Sequence, residues 1–346
     1  MSGLSKFKSF YGQYYPPGPK PTAATVLPAL GSQEGRVFIV TGGNAGIGFE
    51  LCKLLYRTGA KIYMASRSEV KAKAAIQSIA DGYDEPGKGQ LKFLHLDLND
   101  LDIVQSAARD FSQQESKLDV LWNNAGTGGN IVNYGERTAQ GFEPLMGMHC
   151  IATLLFTQLL TPLLAAASRN SPPGSTRVLW LGTNLVDTSA PPNGIDFAML
   201  DRGSKDGAKN YAASKAGTWM LAYEYGRRHV QLQDGILSLM VNPGNVKAGS
   251  YAGTPRLLLA TLNATMLHDT ANGAYTELFA GLSSTVKMDD WVNCILPWGR
   301  VGDIKLAWRQ DIVRAMKPED EGGLGYGKKF WEWCETQWGP HAGTST

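Results

Sequence analysis

The sequence predicts an α/β fold: a single doubly wound domain on a mainly parallel, roughly seven-stranded sheet. Three observations carry this. Continuous apolar runs of strand length recur along the chain, as strands buried on both faces require. Stretches of helical period separate them at regular intervals, the rhythm of parallel strands joined by right-handed crossovers. The first run, Val37-Phe-Ile-Val-Thr41, passes straight into a glycine-rich turn, Gly42 to Gly48, that opens a helix.

Residues 1–35 hold Tyr14-Tyr15-Pro16-Pro17-Gly18-Pro19 and no periodic pattern, so an irregular N-terminal arm is expected ahead of a domain spanning 36–346. After the opening strand, Ile47, Leu51, Leu54 and Leu55 follow helical spacing, and Gly59 is placed to stop the helix. Lys61–Ser66 is a second strand, and Ser68 can cap a helix running to about Ala80. Leu91–Leu96 and Leu118–Trp122 are the third and fourth strands, separated by a helix with Val104, Ala107, Ala108 and Phe111 on one face. A long helix covers roughly Gly141 to Ala167; Arg177–Leu181 is the fifth strand, Asn210 to Arg228 a helix, and Ile236–Val241 the sixth strand. Beyond Pro243 the pattern loosens, with a seventh strand starting at Ile295-Leu296 and an aromatic-rich helix around Phe330, Trp331, Trp333 and Trp338. Two stretches, about 186–209 and 247–292, are expected as substrate-side insertions.

Composition removes several functions. A net charge of +2 without a basic run gives no footprint for nucleic acid. No uninterrupted apolar run reaches the ~18 residues that span a bilayer, and Ile151 to Ala167, broken by Thr, Gln and Pro, is expected as a buried helix. Cys52, Cys150, Cys294 and Cys334 lack the paired spacing of a metal or redox site. The expectation is a cytoplasmic protein without metal or transmembrane segment.

The glycine turn sets the chemistry. Glycines between strand and helix let a diphosphate approach the backbone, and the helix N-terminus offers free N–H groups and the positive end of its dipole. Farther on come Asp97-Leu98, Asn123-Asn-Ala-Gly126, Tyr211-Ala-Ala-Ser-Lys215 and Pro243-Gly244. Tyr211 and Lys215 share a helix face one turn apart. A free phenol has a pKa of about 10, and an ammonium at roughly 5 Å favours the phenolate by about 3 kcal/mol, which suits proton exchange with a carbonyl oxygen near neutrality.

These five motifs, in this order over about Arg36 to Ala248, resemble those of the short-chain dehydrogenase/reductase family, in particular its retinol-dehydrogenase-like branch and fungal members. The resemblance implies a Rossmann fold and a nicotinamide cofactor held by Gly42, Asn44, Gly46, Ile47, Gly48, Asp97, Asn124, Ala125, Gly126, Tyr211, Pro243, Gly244 and Val246, with Lys215 on the ribose. It implies Tyr211 and Lys215 as the catalytic pair, with Thr183 at the place of the family's substrate-holding Ser. Where the family has an Asn for a water relay, this chain has His149, which either serves the relay or is a packed core residue. A family Thr after the Pro-Gly motif is here Ala248, with Ser250 as its nearest substitute. Pairing into a homodimer or homotetramer through the long helix and the Tyr211 helix is also implied.

Cofactor choice turns on the end of the second strand. An acid there grips a ribose 2′-OH, and Arg accommodates a 2′-phosphate. Ser66-Arg67 contains no acid, so NADP(H) is expected, unless Arg67 is simply a solvated loop residue. Phe197, Met199, Leu200, Tyr251 and Leu257 to Leu259 suggest a bulky, mostly apolar ketone or alcohol as substrate, or else form a lid that packs against the fold. The leading expectation is a ketoreductase or alcohol dehydrogenase, with the fungal resemblance pointing to secondary metabolism. The alternatives are non-redox work on the same fold (cyclisation, dehydration or isomerisation) and a nucleotide sensor without turnover, which would need no proton donor.

Overall fold

The computed structural model describes residues 3–83, 89–247, 249, 254 and 256–341. The arm forms α1 (Gly3–Tyr14) and α2 (Ala23–Leu30). The chain then alternates through β1 (Val37–Thr41), α3 (Gly46–Tyr56), β2 (Lys61–Ser66), α4 (Glu69–Asp81), β3 (Gln90–His95), α5 (Leu101–Gln114) and β4 (Val120–Asn123). A long helix begins as α6 (Pro144–Met146), passes through a π-helical stretch at Gly147–Ala152 and continues as α7 (Thr153–Ser168). β5 (Thr176–Leu181), the short α8 (Leu185–Ser189), α9 (Gly207–Leu232) and β6 (Ile236–Val241) follow. The last part holds α10 (Arg256–Thr265), α11 (Thr270–Leu282), β7 (Cys294–Leu296), β8 (Arg300–Val301), α12 (Gln310–Met316) and α13 (Tyr326–Trp338).

The strands form one sheet in the order β3-β2-β1-β4-β5-β6-β7-β8, parallel except for the β7–β8 pair. Strand order reverses between β1 and β4, so a crevice opens above their carboxyl ends, where doubly wound sheets bind ligands. The eighth strand exceeds the seven expected. At two residues it is too short to show alternation, and it returns through a turn in which Trp298 and Gly299 both take positive φ.

Each face of the sheet buries its own layer. Val104, Phe111, Phe156, Leu160 and Trp180 belong to one, and Leu51, Leu55, Trp122 and Leu278 to the other. Removing side chains of this size from water stabilises the fold by roughly 1.5–3 kcal/mol each. The helix over Pro144–Ser168 is the one among the described residues long and apolar enough to cross a membrane, but 61% of its most apolar window is buried. It is a core helix, as its interrupted sequence suggested.

Two expectations change. The arm is helical where an irregular one was expected; it lies against the core, as an arm of this kind can: the Gly12 carbonyl accepts from Arg300 (2.9 Å), the Pro16 carbonyl accepts from the Trp298 indole (3.2 Å), and Phe10 packs on Trp308 at 4.7 Å. Apolar side chains sit on both faces of α1, inward Phe10 and outward Phe7, so no single stripe announced the helix. The stretch expected as a second insertion is divided. α11 belongs to the layer beside α3, because Gly273 and Gly281 let it close on Ile47 and Trp122. Arg177 secures its far end by donating to the carbonyls of Ala280 (2.6 Å) and Ser283 (2.8 Å).

Candidate active site

β1 is buried along its whole length and delivers the glycine turn to the crevice. Gly42 and Gly46 take φ of +68° and +57°, a region that L side chains rarely adopt. Gly48 is needed for another reason: a Cβ there would lie 2.6 Å from both the Asn124 amide and the Gly42 carbonyl. Its absence lets α3 close on the loop after β4. That loop is held in turn by Thr41, whose carbonyl accepts from Asn124 (2.7 Å) and whose hydroxyl accepts from the Ala125 N–H (2.9 Å). Ala45 caps α3 without a side-chain hydrogen bond, so the first N–H groups of the helix are not claimed by their own cap. A Cβ at Gly46 would meet nothing within 4 Å. An uncapped helix end beside an open glycine face fits a diphosphate.

The rest of that groove fits a dinucleotide as well. Ser66, at the tip of β2, is buried, and its hydroxyl has no partner among the described residues. Next to it Arg67 is exposed and makes no ion pair there. Asp97 accepts from the backbone and side chain of Asn99 at 3.0 and 3.2 Å, which fixes the loop after β3. On the other flank Gly244 takes φ +85° and donates its N–H to the Asn242 side chain (3.0 Å), and Val246 bridges to His268. Ala248 and Ser250 lie outside the described residues.

Tyr211 and Lys215 stand in the first turns of α9, whose N-terminus is capped by the Asp206 carboxylate on the N–H groups of Ala208 and Lys209. Lys215 is buried and donates to the Leu181 carbonyl at the end of β5 (2.8 Å), with its Nζ 6.0 Å from the centre of the Tyr211 ring. Burial pushes its ammonium down to about 8, so it stays charged at neutral pH.

His149 joins the same cluster through the π-helical stretch, which Thr153 steadies by donating to the Met148 carbonyl (2.7 Å). Its Nε2 accepts from the Thr127 N–H (3.2 Å), which assigns the proton to Nδ1, facing the Ser214 hydroxyl at 2.9 Å. Ser214 donates onward to the Tyr211 carbonyl (2.9 Å), and the imidazole stands edge-on to the Tyr211 ring at 5.7 Å. Burial and the Lys215 charge hold His149 well below its ordinary pKa, so it is neutral. A Cβ on Gly126 would lie 3.0 Å from His149 Nε2 and 3.5 Å from Lys215 Nζ, so any side chain there would crowd the histidine.

Thr183 begins the loop two residues after Leu181, and its hydroxyl accepts from the Leu185 N–H (3.3 Å). It borders a cavity of about 60 Å³ shared with Gln13, Asp187, Trp219, Asn242 and Trp308. Gln13 of α1 bridges the two loops that frame the site, donating to Asp187 (3.1 Å) and accepting from Asn242 (2.8 Å).

Sequence reasoning missed Ser214, Gln13, Asn242 and Glu277. Ser214 lies inside the Tyr-x-x-x-Lys motif, where a hydroxyl one helical turn from Tyr211 was a signal to use. Glu277 sits midway between Gly273 and Gly281 on the buried face of α11, and a lone acid on a small-residue face was equally visible. Neither of its carboxylate oxygens has a partner among the described residues, and burial pushes it up to about 8.

The family model for short chain dehydrogenases matches residues 36–171. A short-chain dehydrogenase/reductase of Pestalotiopsis fici is 43% identical over 339 residues, 98% of this chain and 100% of the relative. Another, from Phomopsis amygdali, is 40% identical over 99% of both chains. Among solved structures, an uncharacterised protein of Mycobacterium paratuberculosis superposes with a TM-score of 0.64 at 24% identity, covering 92% of this chain and 97% of that one. The Pseudomonas aeruginosa RhlG/NADP complex superposes at 0.55 and 22% identity, covering 75% and 95%. At these identities the two structures speak for the fold alone.

Proposed function

Because the chain belongs to the short-chain dehydrogenase/reductase family, we propose that it is an NADP(H)-dependent reductase of a carbonyl group on an apolar small molecule. The observation that carries this is Lys215: a buried ammonium, still charged at neutral pH, held on the Leu181 carbonyl one helical turn from Tyr211. A buried charge is costly unless it is paired or hydrogen-bonded, and such groups cluster at functional sites. In this reading its role is to stabilise the phenolate of the neighbouring Tyr211.

When bound, the nicotinamide supplies hydride to the carbonyl carbon. Tyr211 Oη gives its proton to the carbonyl oxygen, so the product is the neutral alcohol. Lys215 stabilises the phenolate left behind, and Thr183 holds the substrate oxygen through its hydroxyl. His149 acts as a positioning residue and not through a proton relay. Both ring nitrogens are engaged by protein, and together they fix the loop after β4 to the turn of α9 that carries Tyr211. The cavity that Thr183 borders is lined in part by Trp219, Met240 and Trp308 and not by Tyr211 or Lys215, so it is a neighbour of the proposed reaction centre.

Ser66 and Arg67 support the phosphorylated cofactor: the unpartnered hydroxyl is a ready donor to a 2′-phosphate, and the exposed guanidinium can reach it bidentately. Arg67→Ala should weaken NADPH binding by about 10- to 100-fold, the worth of one charge-assisted contact, and leave NADH within about twofold. Calorimetric titration of both cofactors checks this, and tighter NADH binding by the wild type would overturn the assignment.

The function itself is tested by mixing purified protein with NADPH and a panel of aromatic and alicyclic ketones, following nicotinamide absorbance and product mass together. Ketone-dependent NADPH consumption with a mass gain of two hydrogens is the expected result. Product formed without NADPH consumption would replace the redox reading with isomerisation, cyclisation or dehydration.

A further inference from the structure

The outward strip of α1 is exposed among the described residues. Leu4, Phe7, Tyr11 and Tyr15 recur at helical spacing and are 62, 53, 51 and 42% exposed. Phe7 stacks on Tyr11 at 6.2 Å, and Tyr11 on Tyr15 at 4.9 Å, so the side chains form one continuous aromatic strip. Trp308, which packs on Phe10 of the same helix, is 45% exposed beside it. The opposite face of α1 carries Ser9 and Gln13, which line the cavity that Thr183 borders.

Charge narrows what can cover the strip. Residues 1–33 contain Lys6, Lys8 and Lys20 and no acid. Lys8 is exposed on the flank of the strip; the short turn Ile304–Leu306 that packs against α1 carries exposed Lys305 together with its exposed cap Asp303, so Lys8 is the exposed cation beside the strip without an acid on its own helix. A second copy of the chain, pairing strip to strip about a twofold axis, would bring Lys8 toward its own equivalent with no acid on either helix to offset the repulsion. An anionic lipid surface reverses that sign. Phe, Tyr and Trp at the headgroup level with lysines reaching to the phosphates is how an interfacial helix binds.

We propose that α1 is an interfacial helix that docks the protein on anionic membrane surfaces, its aromatic strip in the headgroup region. This goes beyond the reductase reading and is tested without reference to it. Docking would also bring the cavity beside Thr183 close to the lipid, from which an apolar substrate can partition without crossing water.

The test is flotation with phosphatidylcholine vesicles, with and without phosphatidylserine. The full chain should partition onto the phosphatidylserine vesicles at least about tenfold more strongly than onto the neutral ones. Phe7→Ser combined with Tyr11→Ser should cut that binding by about tenfold or more, and Lys8→Glu should remove most of the preference for anionic lipid. Failure of the wild type to float with anionic vesicles overturns the proposal, a result that depends on no variant folding. So does flotation that the double variant retains in full. A dimer in light scattering that the double variant dissociates, without lipid binding, would assign the strip to a second copy instead.

Discussion

Tyr211→Phe should lower ketone reduction by about 1,000-fold while NADPH affinity and melting temperature stay near wild type. The substitution removes the Oη proton donor and keeps the aromatic ring. The ring keeps its edge-on contact with His149 at 5.7 Å, and Lys215 keeps its bond to the Leu181 carbonyl. The effect should exceed that of Thr183→Ala, because a lost substrate hydrogen bond weakens one contact, whereas a lost donor leaves the developing alkoxide without a proton. Reduction in the wild type should also decline above about pH 8, where Lys215 loses the charge proposed to stabilise the phenolate. Stopped-flow measurement of NADPH oxidation across pH checks both. Full reductase activity in Tyr211→Phe would remove Tyr211 from the proposed role.

The doubly wound parallel sheet was legible because its central strands are mostly apolar runs, and such runs survive any arrangement of the loops. β1 shows this best: five consecutive buried residues ending at the turn. The glycine turn and the Tyr211–Lys215 pair were legible for a related reason, since both act through local spacing on one element. What the sequence hid is long-range. Gln13 meets Asp187 and Asn242 across 174 and 229 residues, and no periodicity encodes that. His149 could be placed on its helix, but only the π-helical turn and the Ser214 and Thr127 contacts show that its two nitrogens are occupied. The helical arm stayed hidden because α1 is apolar on both faces, one toward the domain and one toward the surroundings.

Glu277→Gln should raise stability at pH 7 by about 3 kcal/mol, a gain of about 4 °C in melting temperature for a chain of this size. Glu277 is 1% exposed, neither of its carboxylate oxygens has a partner among the described residues, and burial outweighs the pull of Lys215, raising the carboxyl from 4.5 to about 8. The folded protein therefore keeps this proton up to about pH 8, and the unfolded chain releases it near 4.5. Between those values the native state binds more protons than the unfolded one. The contribution of this group is fully present below about pH 4.5 and is lost as pH rises toward 8. Glutamine has the same shape and no proton to lose, so the variant should lack this descending slope, and the gap between the two proteins should widen from pH 5 to pH 8. Calorimetric melting at several pH values reads it directly. The sign is decisive because the alternative runs the other way. An ionised Glu277 paired with Lys215 would make the substitution destabilising by about 3–5 kcal/mol, since it would strand a buried ammonium.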